Sequence, residues 1–216
     1  MELDFNSRYT WRGMVYSSGP VLQPDVWISW NNFTLSGWNN ADLTHEPQQA
    51  TFNSASGSLD YSFALGKFQI NPMVEYWADR QVRGVVDKPT GEVSVNISHP
   101  LGPLIIYLLQ AVDVFQYRGA WYGETGASRQ FHWKRLTPET SISLGAANRN
   151  YLQTYAGVPK AAFVEAGPKV EVKVQLSRHY YLRPHVEWTY LLNNQVRRMV
   201  QPASLWSIGG ALGVTF

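Results

Sequence analysis

The segment that most constrains this chain is its last, Leu205-Trp-Ser-Ile-Gly-Gly-Ala-Leu-Gly-Val-Thr-Phe216. Counting back from Phe216, every second residue is apolar or glycine: Val214, Leu212, Gly210, Ile208, Trp206. The residues between them are small or polar: Thr215, Gly213, Ala211, Gly209, Ser207. Successive side chains on a strand point to opposite faces, so a period of two makes one face apolar and the other not. A closing strand of this kind, ending on an aromatic, belongs in a wall with hydrocarbon on one side and water on the other.

The rest of the composition agrees with such a wall. No run of about 18 apolar residues exists, so no helix spans a membrane. The most apolar stretch, Leu101 to Leu109, is too short. Mean hydropathy is −0.26, as expected when only alternate residues meet lipid. Nine Trp and twelve Tyr in 216 residues suit the aromatic girdles of a membrane barrel. The chain has no cysteine, in keeping with an oxidising compartment. A net charge of +2 argues against a nucleic-acid partner. The length suits one domain, residues 1–216. Met1-Glu-Leu-Asp4 lacks a basic start and an apolar stretch, which reads as a mature form carrying an added Met.

Alternation and turn signals place twelve strands. They run at about Leu3–Tyr16, Leu22–Trp30, Phe33–Asn40, Phe52–Ala64, Phe68–Ala78, Gly91–His99, Leu104–Phe115, Ala120–Lys134, Glu139–Tyr151, Phe163–Leu176, Tyr180–Leu192 and a last strand ending at Phe216. Ten is the alternative count if the short second and third are misread. Turns at 31–32, 65–67, 100–103, 135–138 and 177–179 are short, and Asn31-Asn32 suits a two-residue hairpin. Connections near 17–21, 41–51, 79–90, 152–162 and 193–204 are mostly longer, 116–119 being brief. Helical periodicity is not sustained anywhere. The expectation is an all-β, antiparallel, up-and-down transmembrane barrel. Short turns and both termini lie at its periplasmic end, and long loops at the other.

A soluble sandwich or lipocalin-like barrel also alternates, but here the polar faces carry charge along long strands. Outward aromatics fall into two groups. Trp30, Phe33, Phe63, Phe68 and Trp133 lie near short turns; Tyr76, Phe115, Trp121, Tyr190 and Trp206 lie near loops. Two rings fit two membrane interfaces. Five residues break the pattern. Arg129 reads outward, where a bulge or a slip of face would relieve its cost, and Gln110 is a similar irregularity. Pro72, Pro168 and Pro184 lack ladder donors and mark bulges or weak pairing.

The inward faces carry the functional residues. Arg8, Arg12, Asp60, Glu75, Glu124, Glu165, Lys169, Glu171, Lys173, Arg183, His185 and Glu187 are the candidate pore-lining set, with Asp4, Glu92, His132 and Lys134 on the same face. Both signs occur on adjacent strands, so cross-strand pairing is expected. Such a lumen is either a narrow passive pore for small hydrophilic solutes or ions, or a salt-bridged plug in a barrel whose loops bind a partner or lipopolysaccharide. Ser141, Ser143, Gly145 and Ala147 on strand nine, with Gly209, Ala211 and Gly213 on strand twelve, leave free volume and favour an open side. No one sign dominates, so strong preference for anionic sugars is not indicated.

An enzyme is not expected. Of five His, His99 and His179 fall at short turns, and His45 beside Asp42 and Glu46 reads as a solvated loop rather than a metal site. His185 with Glu187 could be a base and its orienter, but reads as part of the charge network. No cofactor or metal is implied. Arg80, Arg83, Arg197 and Arg198 in the long loops are candidate lipopolysaccharide contacts. Oligomeric state is open.

Asn6-Ser-Arg-Tyr-Thr-Trp-Arg-Gly-Met14, Val21-Leu-Gln-Pro-Asp25 and the Asn31–Trp38 hairpin resemble the "S-R-Y-x-W-R-G" and "Q-P" signatures of a proteobacterial family of outer-membrane barrels of unassigned function. The resemblance covers roughly the first 45 residues and is architectural beyond. It implies a Gram-negative outer membrane, where Phe216 would present the terminus to the barrel-assembly machinery. It carries no catalytic residues.

Overall fold

The computed structural model describes residues 1–44, 52–82, 85–200 and 204–216. Twelve antiparallel staves close into a barrel. They are β1 Glu2–Asn6, β2 Val21–Trp30, β3 Phe33–Asp42, β4 Phe52–Tyr61 (continued by Phe63–Leu65), β5 Phe68–Val82, β6 Thr90–Leu101, β7 Leu104–Asp113, β8 Trp121–Gln130, β9 Leu136–Ala147, β10 Ala162–Gln175, β11 Tyr180–Leu191 and β12 Ser204–Val214. Each pairs with the next, and β1 closes on β12 through Glu2↔Gly213 to Asn6↔Gly209. A closed ring leaves no strand edge, which hydrocarbon would not tolerate. Both termini meet at the short-turn rim, where the Met1 ammonium donates to the Val214 carbonyl at 3.0 Å.

The outer wall is apolar as the alternation requires. Ile142 and Ile208, mid-strand, are 58% and 62% exposed, and Trp30, Trp133, Phe115 and Trp206 stand out near the rims. Such a continuous surface suits lipid rather than water. We expect Ile142→Arg to destabilise the refolded barrel by about 2–4 kcal/mol. The neighbouring Ser141→Arg, on the lumen face, should cost well under half of that. Equal effects in urea unfolding from lipid vesicles would contradict this assignment of faces.

The irregularities resolve in three ways. Arg129 stays outward, in register with Thr140 and with no bulge. It lies one residue from the end of β8, exposed, its guanidinium 4.5 Å from the Phe131 ring centroid, so it reaches the rim instead of crossing mid-wall. Gln110 faces lipid with its amide oxygen taken by the Trp121 indole N–H at 3.0 Å and its amide N–H by the Leu109 carbonyl at 2.7 Å. The prolines shift no register: Pro72 opposes Val95, Pro168 opposes Ile142 and Pro184 opposes Gly210. Between β10 and β11 the pairing lapses around Pro168 and Pro184, keeping the same register on either side. There Gly167 packs against the Trp188 carbonyl so closely that a Cβ would collide with it.

Four expectations are corrected. The first strand does not run to Tyr16. It leaves the wall after Asn6, and the chain turns inward as a hairpin, Tyr9–Trp11 paired with Met14–Ser17. Its tip, Arg12-Gly13, has φ of 50° and 75°, the two positive values a tight primed turn needs. Second, β8 ends at Gln130, so His132 and Lys134 lie exposed in the short turn instead of facing the lumen. Third, two short helices form: α1 Arg149–Ala156, which replaces the end of the expected strand to Tyr151 and the start of the loop after it, and α2 Asn194–Val200, where a loop was expected. Asn148 caps α1, accepting from Tyr151 N–H, and Gly157 ends it at φ 65°; Asn193 accepts from Gln195 and Val196 N–H. Fourth, the loop expected at 79–90 carries strand pairing, Arg80–Val82 with Val85–Asp87.

The hairpin and helices build a core at the loop end. Tyr9, Met14, Tyr16, Tyr122, Tyr151, Leu152, Tyr155, Val164, Leu191, Val196 and Leu205 are its main buried members.

Candidate functional site: a charged lumen beneath an inserted hairpin

The hairpin crosses the lumen. Near its base Tyr9 meets Trp38 of β3 at 5.4 Å between ring centroids, and next to its tip Trp11 meets Trp77 of β5 at 5.4 Å. Trp38 and Trp77 also touch, at 5.7 Å. At its tip Gly13 lies against Val164 of β10 and Leu191 of β11, so that a Cβ there would press on both. Arg12 reaches β6, pairing with Glu92 at 2.9 Å, with side-chain exposures of 10% and 4%. The guanidinium is sandwiched, 4.0 Å from the Trp11 centroid and 4.7 Å from that of Tyr122. Residues of six staves thus hold the insert.

Below it, the lumen charges form two groups. Near the short-turn end Arg183 bridges Glu2 at 2.6 Å and Glu171 at 3.0 Å, and Lys169 joins the same Glu171 at 3.0 Å. Asp4 lies 3.8 Å from Arg183 and 3.5 Å from His185, whose Nε2 is 3.0 Å from Asn6 Oδ1. Asn6 continues through Gln23 to Asn40 at 3.0 and 2.8 Å. Lys173 stands 4.1 Å over the Tyr181 ring. Nearer the loops, Tyr122 Oη is 2.7 Å from Glu165 and 3.0 Å from Glu124, donating to one at a time, and Tyr107 donates to Glu124 at 2.8 Å. Glu187 accepts from Thr189 at 3.1 Å. The mixed-sign pairing expected of adjacent strands is therefore present.

Three cavities of about 380, 370 and 530 Å³ lie among these groups. The first adjoins the hairpin, Trp38, Trp77, Arg8 and His185. The second lies under Trp11 and Arg12, beside Glu124 and Glu165. The third reaches Ser98, Ser128 and Glu139 near the short turns. Glu187 borders all three.

The sequence-derived set is thus gathered in one lumen, with changes. Arg8 and Arg12 are inside, but on the inserted segment instead of the wall. Asp60 shares the face of Ser58, which bonds Ser36 across the strands at 2.7 Å. The free volume expected over Gly145, Gly209 and Gly213 is filled by the Tyr122, His185 and Tyr181 side chains. Ser141 and Ser143 do line the third cavity. Among the basic loop residues, Arg197 is engaged, stacked 4.4 Å from the Tyr190 centroid and bonded through Nε to the Leu191 carbonyl. Arg198 is exposed. Arg83 and His45 lie outside the described residues, as does the side chain of Arg80.

The inward places of Trp38 and Trp77 agree with alternation, since Phe33 and Tyr76 read outward; what alternation misplaces is Trp11. It put Trp11 on the lipid face because the period continues unbroken into the hairpin. Arg12-Gly13 was the available turn signal.

No family model matches the chain, and no curated protein matches it. Solved structures do. The chain is similar to the NanC porin, with a TM-score of 0.63 and 13% identity over 100% of this chain and 99% of that one. The KdgM porin in complex with disordered oligogalacturonate gives 0.58 and 10%, again over 100% and 99%. LpxR from Salmonella typhimurium gives 0.53 and 10% over the whole of both chains. The chain shares the closed, antiparallel barrel fold of these structures. At such identities the likeness extends to architecture alone.

Proposed function

We propose that the protein is a non-catalytic barrel of a Gram-negative outer membrane. It acts as a narrow passive pore for small hydrophilic solutes or ions, constricted by its own hairpin. The observation that carries this is the run of adjoining, charge-lined cavities from the hairpin to the short-turn end. Charged walls keep water in a lumen and let polar solutes exchange their hydration for protein groups. The apolar wall and the shared barrel fold support the membrane setting. The N-terminal signature supports kinship with the family of barrels described above. In this setting the short-turn rim faces the periplasm, and the fully exposed Phe216 offers the terminus to the assembly machinery. Arg198 is the remaining described candidate for a lipopolysaccharide phosphate.

A second reading has its own observation: the hairpin, α1 and α2 share one apolar core at the loop end. A lumen sealed there would leave the loops as the working surface. Single-channel recording of the refolded protein in a planar bilayer separates the two. Stable ohmic steps are expected; a folded, heat-modifiable barrel that gives none would replace the pore with the sealed, loop-presenting barrel.

A further inference from the structure

Among the described residues, each lumen cation on the barrel strands or at the hairpin tip has a protein partner. Arg12 has Glu92, Lys169 has Glu171, Arg183 has Glu2 and Glu171, and Lys173 has the Tyr181 ring. Arg8 differs. It lies where the chain leaves the wall, just after Ser7 is fixed to Ile208 by backbone N–H to carbonyl at 2.8 Å. Its own carbonyl takes the Ser207 hydroxyl at 3.5 Å. Its side chain borders the cavity of about 380 Å³. There its Nε is buried without a hydrogen-bond partner, and among the described residues no carboxylate stands within ion-pair distance of it. The Nδ1 of His185, bordering the same cavity, is also buried without a partner. A buried guanidinium N–H left unmade is costly, and native structures keep such groups where something else completes them. The guanidinium fork matches a carboxylate in two parallel bonds. Trp11 and Trp38 border the same space and offer apolar ring surface to the rest of a ligand.

We infer that this cavity is a binding site for a small organic carboxylate, its anionic group seated on Arg8 and its apolar body against Trp11 and Trp38. This rests on the pore reading for how the solute enters, and gives that pore a preferred class of cargo. Asp4, Glu75 and Glu187 also border the cavity and set the limit: a singly charged, compact anion fits, and a multiply charged one meets repulsion.

The test uses benzoate, with benzamide as its uncharged counterpart, on the refolded full chain. Equilibrium dialysis in detergent reads binding without requiring conduction. Saturable benzoate binding is expected, weakened about tenfold or more by Arg8→Gln, the size of a lost charge-assisted bond. Arg8→Lys should recover part of it, and benzamide should bind no better to the wild type than to Arg8→Gln. Heat-modifiability of each variant reports folding. Benzoate binding equal in wild type and a folded Arg8→Gln variant, or no binding at all, would overturn the site. Binding without single-channel steps would keep the site and remove the pore; steps without binding would do the reverse.

Discussion

Excising the inner hairpin should raise single-channel conductance several-fold. Asn6 and Val21 are direct partners in the β1–β2 ladder, so residues 7–20 leave the wall and return to it at neighbouring points. A two-residue Asn-Gly turn can join them without changing the register of either strand. The excised segment contributes Tyr9, Trp11 and Arg12, which with Trp38, Trp77 and Tyr122 cross the lumen. Without them the cavities above and below Trp11 merge. Trp38 and Trp77 also lose their packing, so some loss of stability accompanies the gain in conductance. The measurement is conductance and reversal potential in a planar bilayer. A folded excision variant with wild-type conductance would show that the hairpin is not the constriction. The effect of ionic strength should also fall, because a wider lumen holds its charges farther from the ion path.

How much of this was readable beforehand follows from what a period of two reports. It reports a face, not a place. Ile142, Val170 and Ile208 alternate because lipid covers one side, and so the wall was legible almost stave by stave. Tyr9 and Trp11 alternate with Arg8 and Arg12 just as regularly, yet their apolar side meets Trp38 and Trp77 within the lumen. Nothing in the alternation separates a stave from a hairpin packed inside the barrel. The turn at Arg12-Gly13 would have, because a chain reversal there shortens the first stave. The helices escaped for a different reason. At eight and seven residues each is too short to sustain helical periodicity, and their end signals, Asn148, Gly157 and Asn193, stand in for it. The lumen charges were legible as a set because inward positions of long strands must be wet or paired. Which of them pair was not, since Arg183 joins Glu171 of the neighbouring stave and also Glu2, at the other end of the chain. Arg8 reads in the sequence as one more member of the ladder; only three dimensions separate it from the others.

The largest single-residue effect is expected at the hairpin tip. Arg12 and Glu92 are both nearly inaccessible and 2.9 Å apart. Removing one member of such a pair leaves the other charge buried, which costs about 3–5 kcal/mol. Arg12→Met keeps much of the length that packs between Trp11 and Tyr122, and so isolates the charge. Arg12 also holds φ at 50°, which costs a non-glycine residue about 1–2 kcal/mol. Arg12→Gly relieves that strain and should still be destabilising, because the unpaired Glu92 outweighs the relief. The decisive comparison is a double-mutant cycle read by urea unfolding of the refolded protein. Glu92→Gln removes the charge that Arg12→Met strands, so the double variant should be more stable than the sum of the two single losses implies, by about 2 kcal/mol or more. Additive losses would mean that the pair does not hold the hairpin. Its place would then be set by the apolar contacts of Gly13 with Val164 and Leu191, and by the Tyr9–Trp38 and Trp11–Trp77 ring contacts.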